Sequence, residues 1–147
     1  MFKHLLIPVD GTDLAERAIQ AGIDLAKQLD ASITAFIAEP PAPAPAPGRG
    51  ALRYARDLEL YNHDVAEHAQ GVLGSFKRRA ADAGVPLNGV HTQTHRIDEA
   101  IADAAREHGC DMIVMATHGR GVFGEILFGS RTKGVMALSK LPLLVLH

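Results

Sequence analysis

Apolar residues along this chain follow two different periods. Residues 4–9 (HLLIPV), 33–38 (ITAFIA), 111–116 (DMIVMA) and 142–147 (PLLVLH) are short, nearly continuous apolar runs, the length of buried strands. Residues 89–95 (GVHTQTH) alternate in a less apolar way and predict a fifth strand. Between these runs the period lengthens. From Asp13 to Leu29, Ala15, Ala18, Ile19, Gly22, Ala26 and Leu29 fall on one stripe of an amphipathic helix. Asp13 with Glu16 three residues later resembles a capping box. A longer stripe over residues 52–83 uses Leu58, Tyr61, Val65, Ala69, Val72 and Phe76; Gly71 and Gly74 weaken its continuity, and Gly84-Val85-Pro86 ends it. Residues 98–108 predict a short helix that stops at Gly109 in the left-handed conformation, and residues 130–139 predict a last one.

Strands that alternate with helices imply βαβ crossovers and a parallel sheet covered on both faces. The pattern contains five such strands and four helices. Ligands of open parallel sheets sit outside the carboxyl ends of the strands. The loops after Val9, Ala38, His95 and Ala116 are therefore where function is expected. One of them is compositionally distinct: residues 39–50 (EPPAPAPAPGRG) hold five of the eight prolines. Alternating Pro and Ala disfavours helix and ladder alike, so an extended, mobile, polyproline-like connector is expected there rather than a proline-recognition ligand.

Composition limits the options further. A chain of 147 residues predicts one domain, spanning 1–147. With 47% hydrophobic and 22% charged residues and a mean hydropathy of +0.04, it reads as an ordinary soluble protein. A net charge of −2 argues against a nucleic-acid partner. No apolar run approaches the roughly 20 residues that span a bilayer, and no secretory signal is evident, so a cytoplasmic protein is expected. Cys110 stands alone, which excludes an intrachain disulfide; just before a buried strand, it reads as a core-edge residue.

The chemistry concentrates after the fourth strand. Met112–Ala116 runs into Thr117-His118-Gly119-Arg120-Gly121, and Gly129-Ser130 opens the next helix. A strand, glycines and a helix N-terminus turn backbone amides toward a phosphate. The hydroxyls of Ser130 and Thr132 can cap the helix or donate to phosphate oxygens. No Gly-Lys-Ser/Thr follows, which excludes a Walker A loop. Gly119, Gly121 and Gly124 match a dinucleotide spacing, but that fingerprint belongs after the first strand, where the chain reads Asp10-Gly11-Thr12.

These residues resemble the universal stress protein family in its single-domain bacterial form. Its nucleotide-binding members carry Gly-x2-Gly-x9-Gly-Ser/Thr; here Ala116-Thr-His-Gly119 is followed after nine residues by Gly129-Ser130. Pro8-Val9-Asp10, residues 111–115 (DMIVM) and residues 140–146 (KLPLLVL) add to the likeness, which covers the whole chain except the Pro-Ala loop. The resemblance implies a Rossmann-like, adenine nucleotide alpha hydrolase-like fold: an open five-stranded parallel sheet in the order 3-2-1-4-5. It also implies ATP between the loops after strands one and four, and a homodimer formed through the last strand, Pro142 to His147. Carried over by position, Asp10 accepts a hydrogen bond from the adenine amino group, Pro8 and Val9 frame the base, and Ile37 packs on it. Met115, Ala116, His118 and Gly119 line the ribose and α-phosphate region. Gly129, Ser130, Arg131 and Thr132 receive the β- and γ-phosphates, with Mg2+ as the accompanying ion.

Two positions depart from the family pattern. Ala116 replaces the first motif glycine; it costs little if a small residue suffices, and about 1 kcal/mol if that position needs a positive φ. Arg131 stands where small apolar residues are common and adds a cation beside the phosphates. Other residues invite simpler readings. Asp10 also suits a turn or helix cap, and His118 has no visible partner to orient it as a base. His63, Glu67 and His68 lie on one predicted helix without a defined third and fourth zinc ligand, so a solvated face is expected. Lys77-Arg78-Arg79 reads as a solvated helix end.

The expected function is that of a stress-response protein that binds ATP and couples occupancy to dimer or partner contacts. Neither a Walker carboxylate nor an arginine-finger arrangement is present, so hydrolysis is slow at most. The alternative is a nucleotide-free dimeric interaction module of the same fold. A third reading is slow hydrolysis or phosphate self-transfer onto Ser130 or Thr132.

Overall fold

The computed structural model describes residues 1–9, 13–117 and 130–146. Along the chain it contains β1 (His4–Pro8), α1 (Asp13–Leu29), β2 (Ser32–Glu39), α2 (Ala51–Asp82), β3 (Leu87–Gln93), α3 (Ile97–Glu107), β4 (Met112–Ala116), α4 (Ser130–Leu138) and β5 (Leu143–Leu146). The strands form one parallel sheet in the order β3-β2-β1-β4-β5.

Alternation along each strand divides the core between the two faces of the sheet. Leu5, Ile7, Val9, Ile33, Ala35, Ile37 and Val114 meet Ile19, Ile23 and Ala26 of α1 and Ala69, Phe76 and Ala80 of α2. Leu6, Phe36, Ile113 and Met115 meet Ile101, Ala104 and Ala105 of α3 and Val135 of α4. Two helices therefore cover each face, as right-handed crossovers require when the chain moves outward from β1 to β3 and then returns to β4. The three central strands are the most apolar because both of their faces are buried.

Several expectations need correction. α2 is unbroken through Gly71 and Gly74, since the anchorage of Ala69, Phe76 and Ala80 on the sheet outweighs about 1 kcal/mol of lost helix propensity per glycine. β3 lies two residues earlier than the alternation suggested, because Leu87 pairs with Ile33 and packs into the core, whereas His95 falls past the ladder. Asp13 is the first helical residue of α1, and Glu16 pairs with the Arg79 guanidinium. Arg79 also donates to Gln20 Oε1 at 2.8 Å, so the last basic residue of the Lys77-Arg78-Arg79 run ties α2 to α1.

The Pro-Ala segment has no regular structure but is tied at both ends. Tyr61 Oη donates to the Pro40 carbonyl at 2.8 Å, and Arg49 pairs with Asp57 at 2.6 Å. Gly109, with φ +66°, closes α3 in the left-handed conformation that the sequence anticipates. On the α3 side, buried Thr34 shares a 2.8 Å hydrogen bond with His4 Nε2 and also bonds the Cys110 thiol. Burial raises the Cys110 pKa above its ordinary value of 9.0, with the Thr34 bond opposing and Asp111 reinforcing the shift. Among the described residues no helix is long and apolar enough to cross a membrane.

Candidate functional site

The strand order reverses direction between β1 and β4. Chain connections from β1 run to β2 on one side, and β4 is reached only after the return from β3. Such a switch point leaves a crevice at the carboxyl edge, because the loops after the two strands depart to opposite faces.

Pro8 shapes that edge. Successive amides of a strand point to alternate neighbours, and Val9 N donates to Phe36 O of β2 at 2.9 Å. The nitrogen of Pro8 therefore faces β4 and has no hydrogen to give. The paired register of β1 with β4 ends at Leu6↔Ile113, whereas β1 stays paired with β2 up to Pro8↔Phe36. On the other side of the crevice, β4 pairs with β5 up to Ala116↔Leu146, and Thr117 N donates to Leu146 O at 2.8 Å. Val9, Met115 and Thr117 are buried at this edge; Pro8 and Ala116 are half-buried.

The other predicted site residues divide. Asp10, His118, Gly119 and Gly129 lie outside the described residues. Ile37 is 0% exposed, in the core beneath α1 and α2. Ser130, Arg131 and Thr132 form the first turn of α4, which carries no acidic residue. Ser130 is exposed, but Thr132 is buried, so only the serine hydroxyl meets solvent there.

Arg131 makes a contact that its sequence position did not disclose. Its Nη1 lies 3.8 Å from Asp98 Oδ1 in the first turn of α3. The two helices are pressed together at this point: a Cβ on Gly134 would fall 2.0 Å from Asp98 Oδ2 and 2.6 Å from its Cγ. A recess of about 270 Å³ opens beside them, lined by His95, Arg96, Asp98, Glu99, Ser130 and Arg131 among others. Arg96 donates to Glu99 at 2.6 Å, so each arginine of the recess has a carboxylate partner. No motif marked His95, Arg96 and Asp98; their only signal was a place in the loop after a strand and the helix turn that follows it.

The profile of the universal stress protein family matches residues 1–147. The chain belongs to the universal stress protein family. A universal stress protein of Thermus aquaticus is 31% identical over the full length of both chains. Universal stress protein YxiE of Bacillus subtilis is 25% identical, again over the full length of both. Among solved structures, universal stress protein UspA of Lactobacillus plantarum superposes with a TM-score of 0.79 at 21% identity, covering 99% of this chain and 98% of that one. Two more share the fold at a TM-score of 0.68. One, solved in complex with cAMP, is 20% identical, with 99% of this chain and 97% of that one covered. The other, from Archaeoglobus fulgidus in complex with dAMP, is 16% identical, with 99% and 98% covered. The strand order expected of a universal stress protein is the one observed, and the carboxyl edge between β1 and β4 is its switch point.

Proposed function

We propose that this universal stress protein binds an adenine nucleotide, ATP with Mg2+, at the carboxyl edge between β1 and β4, and that occupancy alters its association with a second copy or a protein partner in the cytoplasm. The observation that carries this reading is the switch-point edge itself. There Pro8 withholds a donor from β4, and both flanking strands lead into the segments that hold Asp10 and the glycine motif. Relatives of this fold that hold cAMP and dAMP support the same reading.

The residues present suit the ligand. Pro8 and Val9 offer an apolar frame for a base, Asp10 an acceptor for its amino group, and Ala116, His118 and Gly119 a small-residue path for the ribose. Gly129 and Ser130 bring amides and a hydroxyl to the phosphates at the start of α4. Met115 and Ile37 support this edge from within the two cores. Thr132, being buried, suits a role in holding the first turn of α4 rather than that of a phosphate acceptor. Arg131 must exchange Asp98 for phosphate if it is to contribute charge. The nucleotide would supply binding energy and anionic charge.

Melting of the purified chain with and without Mg-ATP tests the reading. A ligand that binds only the folded state at 100 times its Kd adds about 2.7 kcal/mol, or roughly 5–10 °C in Tm for a chain of this size. Asp10→Ala should reduce the shift from adenosine nucleotides and leave any shift from inorganic triphosphate in place. No shift with millimolar nucleotide would sink the proposal and favour the nucleotide-free module.

Self-association is the second element. β5 is an edge strand, Leu144 on it is 37% exposed, and Met136 and Leu138 of α4 are 56% and 52% exposed. An edge with free backbone groups beside apolar side chains suits pairing with a second copy.

A further inference from the structure

A second cluster of ligating side chains lies away from the β1–β4 edge. Glu39 ends β2, His91 stands on the same face of β3, and His68 approaches from α2. The Glu39 carboxylate lies between the two imidazoles: Oε2 is 3.4 Å from His91 Nε2, and Oε1 is 3.9 Å from His68 Nε2. Glu39 Oε2 and His91 Nε2 are both buried, and neither has a hydrogen-bond partner among the described residues. Two buried polar atoms facing each other without a hydrogen bond form a costly arrangement that a bound cation relieves.

We infer that Glu39, His68 and His91 form a binding site for a divalent transition-metal ion of the zinc class. The donor set is two imidazole nitrogens and one carboxylate, with solvent available as a fourth ligand. Tetrahedral coordination with bonds of about 2.0–2.2 Å separates two ligand atoms by roughly 3.3–3.6 Å. The Glu39–His91 pair already stands at 3.4 Å. His68 Nε2 lies 3.9 Å from the other carboxylate oxygen, and the three ligand atoms do not all stand within 4.8 Å of one another. Binding therefore requires the His68 side chain, 48% exposed on α2, to swing inward from its present contacts. Bound there, the ion joins β2, β3 and α2 at the root of the Pro-Ala segment, beside Pro40, whose carbonyl accepts from Tyr61 Oη.

The same helix offers a competing trio. His63, Asp64 and Glu67 bring their ligand atoms within 4.8 Å of one another, but all three are exposed, on one turn of one helix. Two buried ligand atoms, on Glu39 of β2 and His91 of β3, distinguish the Glu39 cluster from it.

Zinc titration of the tag-free, chelator-stripped protein against a chromophoric zinc indicator tests the assignment. The wild type should take up one ion per chain. His91→Ala and His68→Ala should each weaken binding at least tenfold, and His63→Ala should change it less than twofold. His68→Ala guards against misfolding, since that residue is half exposed, and circular dichroism confirms the fold of each variant. Co2+ provides a separate readout: its visible absorption in the wild type should collapse in His91→Ala. The inference is overturned if no stoichiometric zinc binds, if His91→Ala binds as the wild type does, or if His63→Ala abolishes binding, which assigns the ion to the exposed trio.

Discussion

Gly22 and Ile7 allow the packing of α1 on β1 to be tested as a coupled pair. Gly22 faces the sheet from the middle of α1, and an added Cβ would lie 2.2 Å from Ile7 Cδ1 yet 3.6 Å from Ile7 Cγ1. Only the terminal methyl obstructs. Ile7 is 0% exposed, so that methyl can move only by displacing other core atoms. Gly22→Ala therefore sets two effects against each other. Helix propensity favours alanine by about 1 kcal/mol, while overpacking a tight core costs about 1–3 kcal/mol. The expected net effect is a loss of about 0–2 kcal/mol. Ile7→Val removes Cδ1 and by itself costs about 0.5–1.5 kcal/mol. In the Ile7→Val background the obstruction is gone, so Gly22→Ala should now stabilise by about 1 kcal/mol. The coupling between the two changes is then about 1–3 kcal/mol, above the roughly 0.3–0.5 kcal/mol by which independent sites depart from additivity. Urea unfolding of the wild type, the two single variants and the double variant, read as ΔG from midpoints at constant m, measures it. Equal effects of Gly22→Ala in both backgrounds would refute the reasoning, because the steric conflict would not be what keeps residue 22 a glycine.

Two further outcomes follow from the same structure. The folded chain raises the Cys110 pKa through burial, so it binds the thiol proton more tightly than the unfolded chain does. The resulting stability is fully present below the ordinary thiol pKa of 9.0 and is lost as pH rises through the folded value; Cys110→Ala should flatten the alkaline decline in urea midpoint, and an unchanged slope would contradict it. If the chain pairs through β5 as proposed, Leu144→Arg, which places a charge on that exposed edge, should lower the mass seen by light scattering at micromolar concentration from dimer to monomer. A variant that associates as the wild type does, or a monomeric wild type, would refute pairing through β5.

Much of the architecture was legible because it is governed by local physics. The shift from short continuous apolar runs, or the alternation of β3, to helical periodicity marks every element to within one or two residues, because burial of both strand faces, of one face, or of one helix stripe each imposes its own pattern. Gly84 and Gly109 mark helix ends by the positive φ they adopt, 76° and 66°. The glycine motif and Pro8-Val9-Asp10 pointed to the β1–β4 edge as an expectation, on the ground that amide donors for an anion need a particular local backbone; Asp10, Gly119 and Gly129 themselves lie outside the described residues. Gly22 carried no such mark: it read as one more small residue on the stripe of α1, and its reason lies in a methyl group on β1.

Charges were the least legible. Arg79 looked solvated and instead binds Glu16 and Gln20 of another helix; Arg131, expected beside the phosphates, also lies 3.8 Å from Asp98, a neighbour its place in the sequence did not disclose. A long side chain chooses its partner by what the fold brings within its reach, and sequence spacing does not record that.

By itself, then, the sequence determined the element order, the parallel α/β class, the family and the edge where a nucleotide is proposed to bind, since each rests on patterns a few residues long. The tertiary structure alone decided which buried polar groups meet. Glu39, His68 and His91 come from two strands and a helix far apart in the chain, and they share one site only because β2 pairs with β3 and α2 packs across both. The cost of bringing the Glu39 carboxylate and the His91 imidazole together out of water arises from burial, and burial belongs to the folded chain.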